Sequence, residues 1–416
     1  MSRLPHWAVF TDNNSRKGEF ISSLMDGEPP EDFKPFAGKE GALFSKSAVD
    51  HFLEEEARHD QHILSGPDQQ ELRTMSSGER KKALLNFLLN KQPDYLIIVN
   101  PFDNLDSDSA RSLADLLTEL SAELPLIQVL SRRSDMLPFA SHQAFLEGDR
   151  LVKIENQEYG ASTGVKPAAQ SKRRIPPPPA RSDLEKELLV RFNKVSVAYG
   201  KKPVLNNICW EIRKGEYWQL SGKNGSGKST LLSMINGDNP KAYGEDIELF
   251  GYQKGSGETV WDLKEHTGYF SPAMVDRFRG YHSLENMIIS GLTDSIGLYT
   301  QPSAAQQQLA REWLKFLELE SHKDDYFHEC SEGVQRLVMC ARAMVKHPPL
   351  LILDEPTAGL DDQSAELLVR LVNTMAQQSS TAIIYVSHRK EEGLRPEKIF
   401  ELTMTPAGST GKVILP

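Results

Sequence analysis

An α/β architecture of two tandem modules is predicted by three observations. The stretch Gly222-Lys-Asn-Gly-Ser-Gly-Lys-Ser-Thr230 fits G-x-x-x-x-G-K-[ST] in full, between an apolar run that reads as a buried strand (Tyr217–Ser221) and a segment that reads as a helix (Leu231–Ile235). An internal repeat is the second: Ser76 to Val99 and Ser331 to Asp354 each span 23 positions, and each opens a helix that runs to a proline and then an apolar strand. A proline-rich break over 155–186 is the third. The expected division is a first module at 1–154, the linker, and a second module at 187–416. The second should be complete, with a parallel core sheet, an antiparallel edge sheet and a helical subdomain.

In chain order, Trp7-Ala-Val-Phe starts the first module where a counterpart of the Gly222 loop should lie. Ser76-Ser-Gly78 opens its helix, Tyr95-Leu-Ile-Ile-Val99 is its apolar strand, and Asp106 follows seven positions after Val99, as Asp361 follows Asp354. A further apolar strand precedes Ser131-Arg132, which mirrors Ser387-His388 in the second module. The linker carries Gly160-Ala-Ser-Thr-Gly164 and four consecutive prolines, a composition that favours a semi-rigid extended spacer. A proline-motif ligand for a partner domain and a basic nucleic-acid contact at Lys172–Arg174 are the alternatives. The second module opens with a strand at Leu188–Gly200. Gly244–Phe270 reads as turn-bounded segments of the antiparallel sheet. Leu309, Trp313, Phe316 and Leu317 recur at helical spacing within Gln306–Leu319.

Composition bounds the function classes. A chain of 416 residues with 39% hydrophobic and 25% charged content suits a soluble protein of two to three domains. The net charge of −10 argues against a broad nucleic-acid footprint, so nucleic acid is not an expected partner. Cys209, Cys330 and Cys340 form no metal or disulfide spacing, which indicates a reducing compartment. No apolar run reaches the roughly 20 residues that span a bilayer, and Met1–Trp7 lacks a signal-peptide core. A cytoplasmic location is expected, or the mitochondrial matrix if residues precede Met1.

The Gly222 loop carries the chemistry. Small residues let backbone amides of Gly222, Lys223, Asn224, Gly225, Ser226, Gly227 and Thr230 curl around phosphate oxygens at a helix N-terminus. Lys228 neutralises the β- and γ-phosphates, and the Ser229 hydroxyl can ligate Mg²⁺. The expected ligand is a nucleoside triphosphate.

Taken together, these residues resemble an ABC-type ATPase in tandem, over nearly the whole chain outside the linker. Tyr199 looks like the aromatic that stacks on adenine, Ser331-Glu-Gly333 stands at the family signature, and Leu350–Asp354 then Glu355 looks like the Walker B strand. Asp361 looks like the D-loop and His388 like the switch histidine. Gly255-Ser-Gly-Glu-Thr-Val-Trp-Asp-Leu263, Gly268-Tyr-Phe-Ser271, Val204-Leu-Asn-Asn207 and Asp294-Ser-Ile-Gly297 are similar to the soluble tandem group called ModF or photorepair-protein-like, whose usual label is molybdate transport. The resemblance implies ATP with Mg²⁺ as cofactor. Asp354 would hold Mg²⁺ through water, Glu355 would polarise the attacking water, and His388 would bond the γ-phosphate.

The first module departs from that pattern. Thr11 and Arg16 replace the two motif glycines and Gly18 the metal-binding hydroxyl. Val99 and Asn100 stand for Asp354 and Glu355, and Arg132 for His388. Lys17 is either a remaining phosphate contact or a surface lysine. No aromatic strand precedes Trp7, so the first module resembles one truncated at its N-terminus. It keeps the signature Met75-Ser76-Ser77-Gly78-Glu79. In the family a nucleotide lies between the loop of one half and the signature of the other. The resemblance therefore implies intramolecular pairing, with Ser76, Gly78 and Asp106 completing the site of the second module. The other composite site would be non-hydrolytic, with Glu332 adding a charge unfavourable to phosphate. Pro272 replaces the glutamine that couples to membrane domains, which points to slow turnover. The expected function is an ATP-hydrolysing tandem protein acting on an unidentified protein partner. The alternatives are the ATP-binding subunit of a transporter whose membrane subunits are separate chains, and a nucleotide-gated scaffold that does not hydrolyse.

Overall fold

The computed structural model describes residues 5–59, 63–64, 71–154, 174–179, 184, 186–278, 280–389 and 391–415. They divide into two compact units, Met1–Ser171 with Gly359–Gln363, and Lys172–Ala358 with Ser364–Pro416. The N-terminal stretch Met1–Leu4 and most of the linker, including Lys172, lie outside the described residues.

The first module runs β1 (Trp7–Thr11), α1 (Lys17–Met25), β2 (Gly41–Phe44), α2 (Lys46–His59), α3 (Ser77–Asn90), β3 (Tyr95–Val99), α4 (Ser107–Leu120), β4 (Leu126–Leu130), β5 (His142–Glu147) and β6 (Arg150–Lys153). The second runs β7 (Leu188–Tyr199), β8 (Lys202–Arg213), β9 (Tyr217–Gly222), α5 (Lys228–Ile235), β10 (Ile247–Leu249), β11 (Tyr252–Gln253), α6 (Val260–Glu265), β12 (Thr267–Phe270), α7 (Leu284–Ser290), α8 (Ala304–Phe316), α9 (Glu332–Met344), β13 (Leu350–Asp354), α10 (Asp362–Gln378), β14 (Ala382–Val386), β15 (Lys398–Thr403) and β16 (Thr410–Ile414).

The repeat is visible in the sheets. The first module pairs its strands in the order β2-β3-β4-β1-β5-β6 and the second in the order β12-β13-β14-β9-β15-β16. Every pairing is parallel except the last, β5 with β6 and β15 with β16. Strands such as Leu126–Leu130 and Ala382–Val386 are buried along their whole length. Parallel sheets need such continuous apolar runs because both faces are covered. The β2 strand, which the repeat did not reveal in the sequence, is the counterpart of β12. In the first module Phe33 and Phe36, from a 3₁₀ turn, pack on Trp7 and Tyr95 with ring centroids 4.6 and 4.9 Å apart. In the second, Trp210 stacks on Phe400 at 4.4 Å and joins β8 to the parallel sheet.

The antiparallel sheet has the order β11-β10-β7-β8. It corrects the expectation for Gly244–Phe270, of which only β10 and β11 join it. The chain turns away through a buried ion pair, Lys254 Nζ to Glu258 Oε1 at 2.9 Å, with both side chains almost fully covered. Thr259 and Asp262 then form a capping box that starts α6, and β12 pairs parallel to β13 in the core sheet. Burial pushes the Glu258 carboxyl up, but the Gly255 amide and the Lys254 ammonium hold it down at about 2. Its folded value lies below its unfolded one, so the contribution is present in full above the ordinary carboxyl range. It disappears as the pH falls through about 2. Glu258→Gln strands Lys254 without a counter-charge, and at pH 7 it should destabilise the second module by about 3–5 kcal/mol. Urea unfolding of the full chain measures this, and an unchanged midpoint would show that the pair contributes nothing.

Part of the described proline run packs on the second module. Ile175 is buried and its amide donates to Gln378 Oε1 at 3.0 Å, and His347 Nε2 lies 2.8 Å from the Pro176 carbonyl oxygen. A cavity of about 720 Å³ separates this strap from Lys214 and Ser379–Thr381. It lies below the N-terminal ends of β13 and β14.

Candidate nucleotide-binding and catalytic site

The Gly222 loop joins β9 to α5 and conforms to the backbone its motif demands. Gly222 sits at φ 150° and Gly227 at φ 94°, values that favour glycine. A Cβ at Gly222 would meet Ser226 Oγ at 2.6 Å, and one at Gly227 would meet Leu205 of β8 at 2.7 Å, so a side chain at either position would displace the loop. The buried Ser226 hydroxyl has no hydrogen-bond partner among the described residues. The amides at the start of α5 have no intrahelical acceptors. A cradle with an orphaned buried hydroxyl, at the positive end of a helix, suits a phosphate group. Lys228 is buried, and its Nζ donates to the carbonyls of Gly222 at 2.8 Å and Lys223 at 3.1 Å, which brings its charge over the loop. Ser229 is exposed at the first turn, while Lys223, Asn224, Gly225 and Thr230 complete the loop.

The corresponding loop of the first module is filled by its own bonds. The Asp12 amide donates to Ser15 Oγ at 2.9 Å, the Asn14 amide to Asp12 Oδ1 at 2.9 Å, and the Arg16 amide to the Gly148 carbonyl at 2.7 Å. Ser15, which matches Ser226, donates to the Leu146 carbonyl at 2.5 Å. Amides committed to the protein cannot cradle phosphate. Lys17 does open α1 as Lys228 opens α5, but the loop ahead of it is closed.

Beside the Gly222 loop stand the C-terminal ends of β13 and β14, the place where ligands bind on open parallel sheets. Asp354 ends β13. Burial and the adjacent Glu355 push its carboxyl up to about 6, against the pull of Lys228 and His388. Below that pH it holds a proton and offers a cation no charge. Glu355 follows at φ 48° and its Oε1 meets His388 Nε2 at 2.8 Å. Burial raises the Glu355 carboxyl, but the His388 bond and charge, Lys228 and Arg336 together bring it below its ordinary value. Glu355 is thus a carboxylate at neutral pH, held by one partner and able to accept a proton. Ser271 lies beside Asp354, one residue beyond the Phe270–Leu353 pair, and Pro272 turns the chain into a 3₁₀ segment. Those residues, a serine hydroxyl on an exposed helix turn and a buried carboxylate near a lysine, fit a hydrated divalent cation.

The first module keeps this backbone without its chemistry. Asn100 occupies the Glu355 position at φ 41°, and its amide donates to the Val129 carbonyl as that of Glu355 does to Val386. Asn100 Nδ2 donates to Ser131 Oγ at 3.0 Å, and the Ser131 amide to Asn100 Oδ1 at 2.8 Å. Ser131, not Arg132, is therefore the counterpart of His388. The sheet register decides this, since Leu96 pairs with Leu126 whereas its counterpart Leu351 pairs with Ile383. Relative to a comparison of the sequences alone, the match moves by one residue.

The remaining expected residues sit as follows. Tyr199 ends β7 as an exposed residue, and its hydroxyl accepts from Asn239 Nδ2 at 3.0 Å. Asn239 also bonds Ser233 on α5, a link no motif announced. Ser76 caps α3 in a capping box with Glu79. Gly78 is buried against Ser109, whose amide donates to Asp106 Oδ1 at 2.8 Å at the start of α4. In the second module Glu332 is bonded to the buried Arg336 at 2.5 Å, one helical turn further along α9.

Geometry of this kind, a glycine-rich loop between a parallel strand and a helix with carboxylates on the neighbouring strand, defines a P-loop nucleotide-binding protein. A profile described as ABC transporter matches residues 205–358. ABC transporter ATP-binding protein ModF of Escherichia coli is 39% identical over 76% of this chain and 67% of its own length. An uncharacterized ABC transporter ATP-binding protein of Schizosaccharomyces pombe is 30% identical over 76% of this chain and 66% of its own length. The chain thus spans about two thirds of these relatives. Among solved structures, RNase-L Inhibitor matches over 98% of this chain and 85% of its own length, with TM-score 0.61 and 16% identity, a likeness of fold. The chain belongs to the ABC family of ATP-binding proteins. No helix among the described residues is long and apolar enough to cross a membrane.

Proposed function

We propose that the second module hydrolyses ATP with Mg²⁺ and that the first completes the site without hydrolysing nucleotide itself. The observation that carries this is the 2.8 Å Glu355–His388 pair beside an intact phosphate loop, where the first module has Asn100 and Ser131 beside a closed one. Ser229, and Asp354 through water, would hold the cation, which would supply charge neutralisation on the phosphates. Lys228 and the loop amides, Gly222 to Thr230, orient the phosphates, and Tyr199 packs on the adenine. Glu355 accepts the proton of the attacking water, and His388 donates to the γ-phosphate while keeping Glu355 in place. Rate enhancement then comes from positioning and fixed charge. Asp12–Arg16 leave the first module no loop for a second turnover site.

In this proposal Ser76, Gly78 and Asp106 of the first module close over the phosphate in the ATP-bound state. The Ser76 hydroxyl accepts from the Glu79 amide and also bonds the Glu79 carboxylate, a bond it would exchange for the phosphate on closure. Ser76→Ala should slow steady-state ATP turnover by about 10²-fold, the usual loss when one transition-state donor is removed. Unchanged turnover would sink the pairing while leaving the assignments in the second module intact. Closure driven by ATP and opening after hydrolysis would act on a protein partner. The relatives are named as ABC transporter ATP-binding proteins, which favours a separate membrane subunit as one such partner, and purification of the full chain in ATP would identify it.

A further inference from the structure

Glu355 and His388 come from two different loops, after β13 and after β14, so their 2.8 Å contact depends on what holds the loops together. A second set of bonds joins the same loops. The Thr357 hydroxyl, two residues beyond Glu355, donates to Glu391 Oε1 at 2.6 Å. The Tyr385 hydroxyl, three residues before His388, donates to Thr357 Oγ1 at 3.3 Å. Thr357 and Tyr385 are buried. Within the His388 loop, the Arg389 amide donates to Ser387 Oγ at 3.0 Å and that hydroxyl donates to the Arg389 carbonyl at 2.9 Å. The chain Tyr385, Thr357, Glu391 ends on a carboxylate, so each hydroxyl has one defined direction of donation, and hydrogen bonds to ionised acceptors are the stronger ones.

Within the molecule there is a natural comparison. In the register set by the strands, Phe102 occupies the Thr357 position, Gln128 that of Tyr385 and Ser134 that of Glu391. Phe102 has no hydroxyl, and Gln128 spends its Oε1 on the Leu137 amide. The copy that lost the Glu–His pair has also lost these bonds, although its sheet and the positive φ at Asn100 persist. A bond set needed only for the fold would be expected in both copies.

We infer that Thr357 and Glu391 are positioning residues that hold His388 in register with Glu355, through the bridge between their two loops. This rests on the proposed hydrolysis at the second module. The test is the ATPase kinetics of the full chain with Thr357→Val, Thr357→Ser, Glu391→Gln, His388→Ala and the double variant Glu391→Gln/His388→Ala, with thermal unfolding as a check. Thr357→Val and Glu391→Gln should each lower kcat about tenfold, the effect of one lost hydrogen bond, with KM for ATP within about twofold. Thr357→Ser should restore kcat. Adding Glu391→Gln to His388→Ala should cost less than about twofold, because residues acting through one another are non-additive. Unchanged kcat in both single variants, or losses that multiply in the double variant, would overturn the inference. Absence of turnover in the unmodified chain would refute the proposed function instead. The His388 ring resonances would then decide, shifting in Thr357→Val and Glu391→Gln but not in Thr357→Ser if the inference holds, and unmoved in all three if it fails.

Discussion

Lys228→Ala should abolish measurable ATP binding by the full chain. The Lys228 side chain acts twice, bracing the loop through two carbonyl bonds and placing a buried positive charge where phosphate oxygens would sit. Bonds to a charged group are worth about 1.5–3 kcal/mol each, so losing two that this ammonium would make to phosphate oxygens weakens affinity on the order of 10²–10⁴-fold. Titration with a fluorescent ATP analogue measures this, with circular dichroism to confirm that the fold is intact. Affinity within threefold of the unmodified chain would show that the phosphate is held elsewhere. Lys17 offers no substitute, because the loop that precedes it is closed by its own hydrogen bonds.

Glu355→Gln should retain ATP yet turn over slower by about 10²–10⁴-fold, the usual contribution of a general base. An amide keeps the shape of the carboxylate and can bond His388, but it cannot accept the proton of water. A single-turnover measurement separates this outcome from slow product release. Turnover equal to that of the unmodified chain would mean that another group activates the water.

Much of this site was legible in the chain because its parts are contiguous. The Gly222 loop, the Ser76 and Ser331 caps, and the Asp354-Glu355 pair each lie within a few residues, and local backbone preference decides their shape. The two-module organisation was legible for the same reason, as spacing along one chain. The antiparallel sheet was only half legible. Thr259 and Asp262 carry a capping signal that marks α6, but the buried Lys254–Glu258 pair that turns the chain there leaves no pattern in hydrophobicity.

The partner of a catalytic group is a different matter. Whether Ser131 or Arg132 stands for His388 depends on a strand register set between segments far apart in sequence, and one residue of slip exchanges the two. The strap at Ile175 and Pro176 is likewise a product of packing between distant segments. By itself the sequence determined the fold class, the phosphate loop and the absence of the motif residues from the first module, since each is written in neighbouring residues. Only the tertiary structure decided which side chains meet, because contacts between β13, β14 and the loops beyond them follow from how the sheet closes.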